Sequence, residues 1–164
     1  MKIIPLKSDI SFFNVFIDNI YNEWSDFYKS KSITYEDIVR FYKNKIDNVF
    51  ILSHESREFI GCYSIYQFYG LIADILIIKK YRGKGYGRML INDVLYKLRY
   101  NLFSYLYCED KNIAFYQKYG FLPIYKTGKG SDTTYNLMVR FNMVMIIVLI
   151  LVIVIIVIIL SKFF

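Results

Sequence analysis

The stretch Tyr81-Arg82-Gly83-Lys84-Gly85-Tyr86-Gly87 decides how the chain is read. An apolar run over 71–78 leads into it, and an amphipathic stretch over 89–100 follows. That order is strand, glycine-rich turn, helix start. Such a turn presents backbone N–H groups where the helix dipole is positive, which makes it an anion site. Gly83, Gly85 and Gly87 let the backbone approach a ligand with no Cβ in the way. Lys79, Lys80, Arg82, Lys84 and Arg88 add positive charge at the same spot. The pattern calls for a ligand that carries phosphates.

The spacing narrows the choice. The turn is not G-x-x-x-x-G-K-[ST], which disfavours a nucleoside-triphosphate loop. It is not G-x-G-x-x-G either, because Arg88 holds the last position. It does fit Arg-x-x-Gly-x-Gly, as Arg82, Gly85 and Gly87. Further on comes Asn112-Ile-Ala-Phe-Tyr116-Gln-Lys-Tyr-Gly120-Phe121, a short helical segment with a tyrosine four residues before Gly-Phe. With both motifs present in this order, residues 1–140 resemble the Gcn5-related N-acetyltransferase (GNAT) family. The resemblance implies an α/β fold: a mixed, mostly antiparallel central sheet flanked by helices. It also implies acetyl-CoA as acyl donor, with its diphosphate on Arg82, Gly83, Lys84, Gly85, Tyr86 and Gly87.

Bulk composition separates the chain into a domain and an apolar segment. Of 164 residues, 55% are hydrophobic, and residues 143–160 contain no polar side chain. Eighteen residues at about 1.5 Å each span roughly 27 Å, enough for a transmembrane helix. Ile and Val occupy every face there, so one small domain could not cover it. The expected organisation is a domain over 1–140, a transmembrane helix over 143–160 and a short tail over 161–164. All 14 acidic residues and 20 of the 21 basic ones precede Met143, which leaves a net charge of +6 on that part. This suits an anionic cofactor or membrane surface. No long basic run or aromatic-interleaved patch calls for nucleic acid. Cys62 and Cys108 give no disulfide framework and read as buried thiols. The single histidine, His54, falls in a turn, and no metal site is expected.

Taken in order, the chain reads as a strand over 2–6, a helix capped by Ser8 or Asp9 and running to about 22, then a loop over 23–32. Thr34 and Asp37 start a second helix. A strand pair over 48–53 and 58–68 follows, then the strand that delivers the glycine turn and the helix behind it. A strand over 102–108, the short helix holding Tyr116, and a strand pair over 122–125 and 133–140 around 128–132 complete the domain. Periodicity alone gives mixed α/β; the particular fold comes from the resemblance.

The resemblance also assigns chemistry. The backbone of Leu76 and Ile77, at the end of the central strand, would pair with the pantetheine arm of acetyl-CoA. One N–H there would face the developing oxyanion, where a preorganised donor is worth about 3 kcal/mol. Tyr116 would donate to the departing thiolate. The family asparagine seven residues before that tyrosine is replaced by Glu109, and Asn112 is the remaining candidate for its cofactor contact. The family glutamate nine residues before the motif arginine is replaced by Ala73. Asp74 is adjacent, but strand side chains alternate, so it serves as base only if the strand bulges. A weak base favours an acceptor of low pKa, such as a protein α-amino group near 7.7–8.0, over a lysine near 10.4. Glu23, Trp24, Asp26, Phe27 and Tyr28 are the candidates for an acceptor pocket.

Charge bias sets the expected location. Lys126, Lys129 and Arg140 lie ahead of the apolar segment, against Lys162 behind it. The domain is therefore expected on the cytosolic side of a membrane, with an amine acceptor close to the bilayer. The alternatives are a GNAT-fold binding protein that has lost turnover, for which Ala73 and Glu109 speak, and a peripheral lipid-sensing module.

Overall fold

The computed structural model describes residues 1–55, 57–127 and 134–160, without the side chains of 159 and 160. The chain divides into two compact units. One comprises Met1–Tyr66 with Ile72–Leu95, the other Gln67–Leu71 with the chain from Tyr96 onward.

The first unit begins with β1 (Lys2–Pro5). Asp9 then accepts hydrogen bonds from the backbone N–H and the hydroxyl of Ser11, which starts the helical turn leading into α1 (Phe13–Glu23). A second helix, α2 (Ser25–Ser30), occupies most of the segment expected to be a loop. Its six residues are too few to show a helical period, and it is held instead by packing, with Tyr21 stacked on Tyr28 at 5.8 Å. The next helix, α3 (Tyr35–Lys43), opens with the expected reciprocal cap. Thr34 accepts from the Asp37 N–H, and Asp37 accepts from the Thr34 N–H. Strands β2 (Val49–Ser53) and β3 (Phe59–Tyr66) pair antiparallel, with Ile51 opposite Cys62. β1 pairs antiparallel with β2 on its other side. β4 (Leu71–Ile77) lies next to β3 and runs into the glycine turn and α4 (Tyr86–Lys97).

The core of this unit follows from the 3.6-residue period of α1 and α3. Phe16, Ile17 and Ile20 of α1, with Ile38 and Tyr42 of α3, are buried against Ile51, Cys62 and Leu76 of the strands. Phe16 and Tyr42 meet edge to face at 4.8 Å, a preferred aromatic geometry. Behind the sheet, buried Tyr63 donates to Asp93 of α4 and ties that helix to β3.

The second unit holds β5 (Phe103–Cys108), α5 (Ile113–Gln117), β6 (Leu122–Lys126), β7 (Asn136–Phe141) and α6 (Met143–Leu160). β7 is central, antiparallel to β5 on one side and β6 on the other. Leu71, the first residue of β4, pairs in parallel with Tyr105 of β5. The pairings β1–β2, β2–β3, β5–β7 and β6–β7 are antiparallel and this one is parallel, the expected mixed, mostly antiparallel arrangement. The turn expected over 128–132 and the tail over 161–164 lie outside the described residues.

Asn142 joins β7 to α6. Its N–H donates to the Leu102 carbonyl at 2.8 Å and its amide to the Arg99 carbonyl at 2.6 Å, while its side-chain oxygen accepts from the Met145 N–H at 3.4 Å. α6 is apolar all round, and its side chains are largely exposed from Ile147 to Ile158. Against the expected transmembrane span, no helix among the described residues is long and apolar enough to cross a membrane.

Candidate active site

The glycine turn sits in the first unit with the geometry its sequence demands. Gly83 and Gly85 have φ of +77° and +86°, a region that L-residues with a side chain enter only at a cost. A Cβ built on either meets no atom within 4 Å, so the backbone faces open space there. α4 begins at Tyr86, and the N–H groups of Arg88 and Met89 are the first to bond back, both to the Gly85 carbonyl. The N–H groups before them have no acceptor within the helix and are available to an anion. These observations fit a phosphate ligand.

The cations around the turn are not all directed outward. Arg82 donates from Nη2 to Glu23 Oε1 at 2.7 Å and from Nε to the Ile77 carbonyl at 2.7 Å. Its guanidinium thus fastens the turn to the end of α1 and to the end of β4. Lys80 is paired with Glu58, and Lys84 lies over the Tyr81 ring at 5.5 Å. Glu23, expected to line an acceptor pocket, is here the partner of the motif arginine.

β4 approaches β3 very closely at the residues assigned to the pantetheine arm. A Cβ on Gly61 would lie 2.3 Å from the Leu76 carbonyl oxygen and 2.7 Å from Ile77 Cδ1. Only glycine fits beneath that part of the strand. The Ile77 carbonyl accepts from Arg82 Nε, which ties the end of β4 to the glycine turn.

Asp74 departs from strand geometry, with φ of +56°. Simple alternation therefore does not fix its direction. The residue is partly exposed, but its carboxyl is buried by the hydroxyls of Tyr42 and Ser64, on the α1–α3 side of the sheet. Burial pushes it above the ordinary aspartate range, and the two hydroxyls pull the other way. Ser64 Oγ makes no hydrogen bond of ordinary geometry, so it is a close neighbour rather than a settled donor. Cys62 Sγ donates weakly to the Asp74 carbonyl at 3.5 Å. Tyr42 is not among the residues the sequence singles out; its place four residues after Ile38 on the apolar side of α3 is the available signal.

In the second unit, Tyr116 is buried on α5 between Phe115 at 5.0 Å and Phe121 at 6.1 Å. Burial raises its pKa, so the phenol stays protonated and acts as a neutral donor. Asn112 ends the turn before α5 with its N–H on the Glu109 carbonyl at 2.9 Å, and its side chain caps nothing. Glu109 is engaged by Lys111. Cys108 is buried, and its thiol is pushed up to about 11 by desolvation, with the Asp110 and Glu109 carboxylates adding to it.

A glycine turn on a helix N-terminus, following an irregular strand, fits the cofactor site of an acyl-CoA-dependent transferase. The acetyltransferase (GNAT) family model matches residues 17–121, and the chain belongs to that family. It is an N-acetyltransferase with acetyl-CoA as acyl donor. Solved structures agree in fold. PH1933 from Pyrococcus horikoshii OT3 has a TM-score of 0.64 at 22% identity, covering 85% of this chain and 97% of that one. A GNAT-family acetyltransferase from Staphylococcus aureus Mu50 gives 0.59 at 17% identity, covering 86% and 98%. A point mutant of the spermidine N-acetyltransferase SpeG from Vibrio cholerae gives 0.54 at 18% identity, covering 67% and 76%. A comparison with curated proteins gives no match.

Proposed function

We propose that the chain moves an acetyl group from acetyl-CoA to a primary amine while held at a membrane by residues 143–160. The observation that carries the site is the pair of left-handed glycines opening onto empty space before α4. Acetyl-CoA supplies the acyl group. Arg82, Gly83, Lys84, Gly85, Tyr86 and Gly87 hold its diphosphate, chiefly through backbone N–H groups. Leu76 and Ile77 orient its arm along β4, and Asn112 adds a polar contact. Asp74 accepts the proton that the amine must lose, and its raised pKa makes it a stronger base than an exposed aspartate. Tyr116 donates a hydrogen bond to the leaving sulfur.

A carboxylate remains a weak base against a lysine amine near pKa 10.4, so the reading favours an α-amino group or another amine of pKa about 8. Likeness of fold to a spermidine N-acetyltransferase puts polyamines among the acceptors to try. The anchor rests on sequence: with Ile159 and Leu160 the apolar run reaches eighteen residues, and the basic residues before it favour the cytosolic side for the domain.

The test is calorimetric titration of the full chain in nanodiscs with acetyl-CoA, then mass spectrometry of a mixed library of peptides, polyamines and small amines. Micromolar binding with acetylation of one amine class is expected. Binding with no acetylated product would leave a cofactor-binding protein, and no heat at millimolar acetyl-CoA would remove the site.

A further inference from the structure

Beside the segment that Asn142 ties to the root of α6 stand aromatic side chains and one arginine, all within the second unit. Arg99 lies against the rings of Tyr96 and Tyr100, at 4.2 and 4.5 Å, and both tyrosines are about two-thirds exposed. Leu102, Phe103 and Phe141 are exposed beside them. Phe103 and Phe141 are opposite partners in the β5–β7 register, and Phe141 stands one residue before the Asn142 joint. Two hydrogen bonds from Asn142, to the Arg99 and Leu102 carbonyls, fix where α6 leaves this segment.

The same face continues up the sheet. Tyr105 is opposite Val139 and Tyr107 opposite Leu137, and with the Phe103–Phe141 pair they line an apolar groove of about 380 Å³. Its far end adjoins the Glu109–Lys111 and Asp110–Lys126 ion pairs, whereas the α6 end carries Arg99. Exposed apolar faces of this kind mark a docking surface.

We propose that this collar is seated in the headgroup layer of a lipid bilayer, with Phe103 and Phe141 deepest and the Tyr107–Leu137 end raised away from it. The proposal rests on the membrane-anchored reading. Continuity names the occupant: the collar runs directly into a helix whose apolar side chains are open on every side and that needs an apolar medium. Tyrosine rings and arginine are the side chains that favour a membrane–water interface, apolar body inward and polar tip in water. Tyr107 is four residues from Phe103, about 14 Å along an extended strand, so the tilt separates the two rows in depth. The anchor is therefore a fixed mount, with its pitch set by Asn142.

The full chain is placed in vesicles of phosphatidylcholine with brominated acyl chains, in a Trp24→Phe background. Single reporters are Phe103→Trp, Tyr107→Trp and, inside α6, Val152→Trp. Far-ultraviolet circular dichroism checks each fold, and Phe141→Trp replaces Phe103→Trp should that variant misfold. Strong loss of fluorescence is expected for Val152→Trp, a smaller but clear loss for Phe103→Trp, and little for Tyr107→Trp. Quenching at 152 alone overturns the collar and leaves the anchor standing. No quenching at any position overturns the anchor as well. Equal quenching at 103 and 107 overturns the tilt. Protection at 103 together with a doubled mass in sedimentation makes a second copy the occupant and overturns the lipid seat.

Discussion

Replacing Gly61 by alanine tests whether β4 is part of the reaction or only of the fold. The new Cβ would lie 2.3 Å from the Leu76 carbonyl oxygen, where ordinary contact begins at 3.4 Å. Both atoms are tied to strand backbone, so β3 and β4 must part by about 1 Å. Overpacking of this kind costs about 1–3 kcal/mol. For a chain of this size, that lowers the melting temperature by roughly 2–4 °C per kcal/mol. The displacement falls on Leu76 and Ile77, the residues that orient the acyl arm, and a misplacement of about 1 Å can cost about 100-fold in rate. Thermal unfolding and kcat/KM for acetyl-CoA are measured together. The Gly83→Ala variant is the reference for unfolding alone, because its Cβ meets no protein atom within 4 Å and its cost is backbone conformation, about 1–2 kcal/mol. A lowered melting temperature with wild-type kcat/KM would refute the role of the Leu76–Ile77 backbone. No change in either quantity would refute the close approach of the strands.

Three further outcomes are expected. Gly85→Glu should abolish acetyl-CoA binding in calorimetry, since it sets a carboxylate among phosphates; unchanged affinity would mean that the turn does not hold the diphosphate. Tyr116→Phe should lower kcat by about 100-fold, at the lower end of proton-transfer effects, with KM nearly unchanged; an unaltered kcat would remove the tyrosine from the reaction. Asp74→Asn should remove the acid limb of the kcat/KM profile, which in the wild type falls as Asp74 is protonated below a pKa raised by burial. The sign for stability is the reverse. A carboxyl whose folded pKa lies above its unfolded one stabilises below the unfolded value and loses that contribution as pH rises through the folded value. The Asp74→Asn variant should therefore gain melting temperature on the wild type as pH rises towards neutrality, and a gain confined to acid would contradict the shift.

Local patterns carry most of the fold into the sequence. The glycine turn, the Thr34–Asp37 cap and the strand pair on either side of His54 are each written within a few neighbouring residues, and each appears where expected. α2 is hidden because Ser-Asp-Phe-Tyr-Lys-Ser is polar and shorter than two turns, so tertiary packing decides it. Asp74 escapes the pattern for a related reason: alternation assumes extended backbone, and φ of +56° breaks the rule at that residue. Tyr42, Ser64 and Asp74 come from three separate elements, and the Glu23–Arg82 pair bridges 59 positions of sequence. Nothing in a single chain marks such partners in advance.

The motif arginine has a consequence for ligand choice. With Arg82 bound to Glu23 and Lys80 to Glu58, two of the charges that the sequence offers to phosphate are answered from within the protein. Much of the grip then falls to amide groups held in a fixed curve, which carry no net charge for salt to screen. Sulfate or a stray polyanion meets less attraction than a count of lysines and arginines suggests. A diphosphate is chosen by how well its oxygens follow that curve, and selectivity becomes a matter of contour.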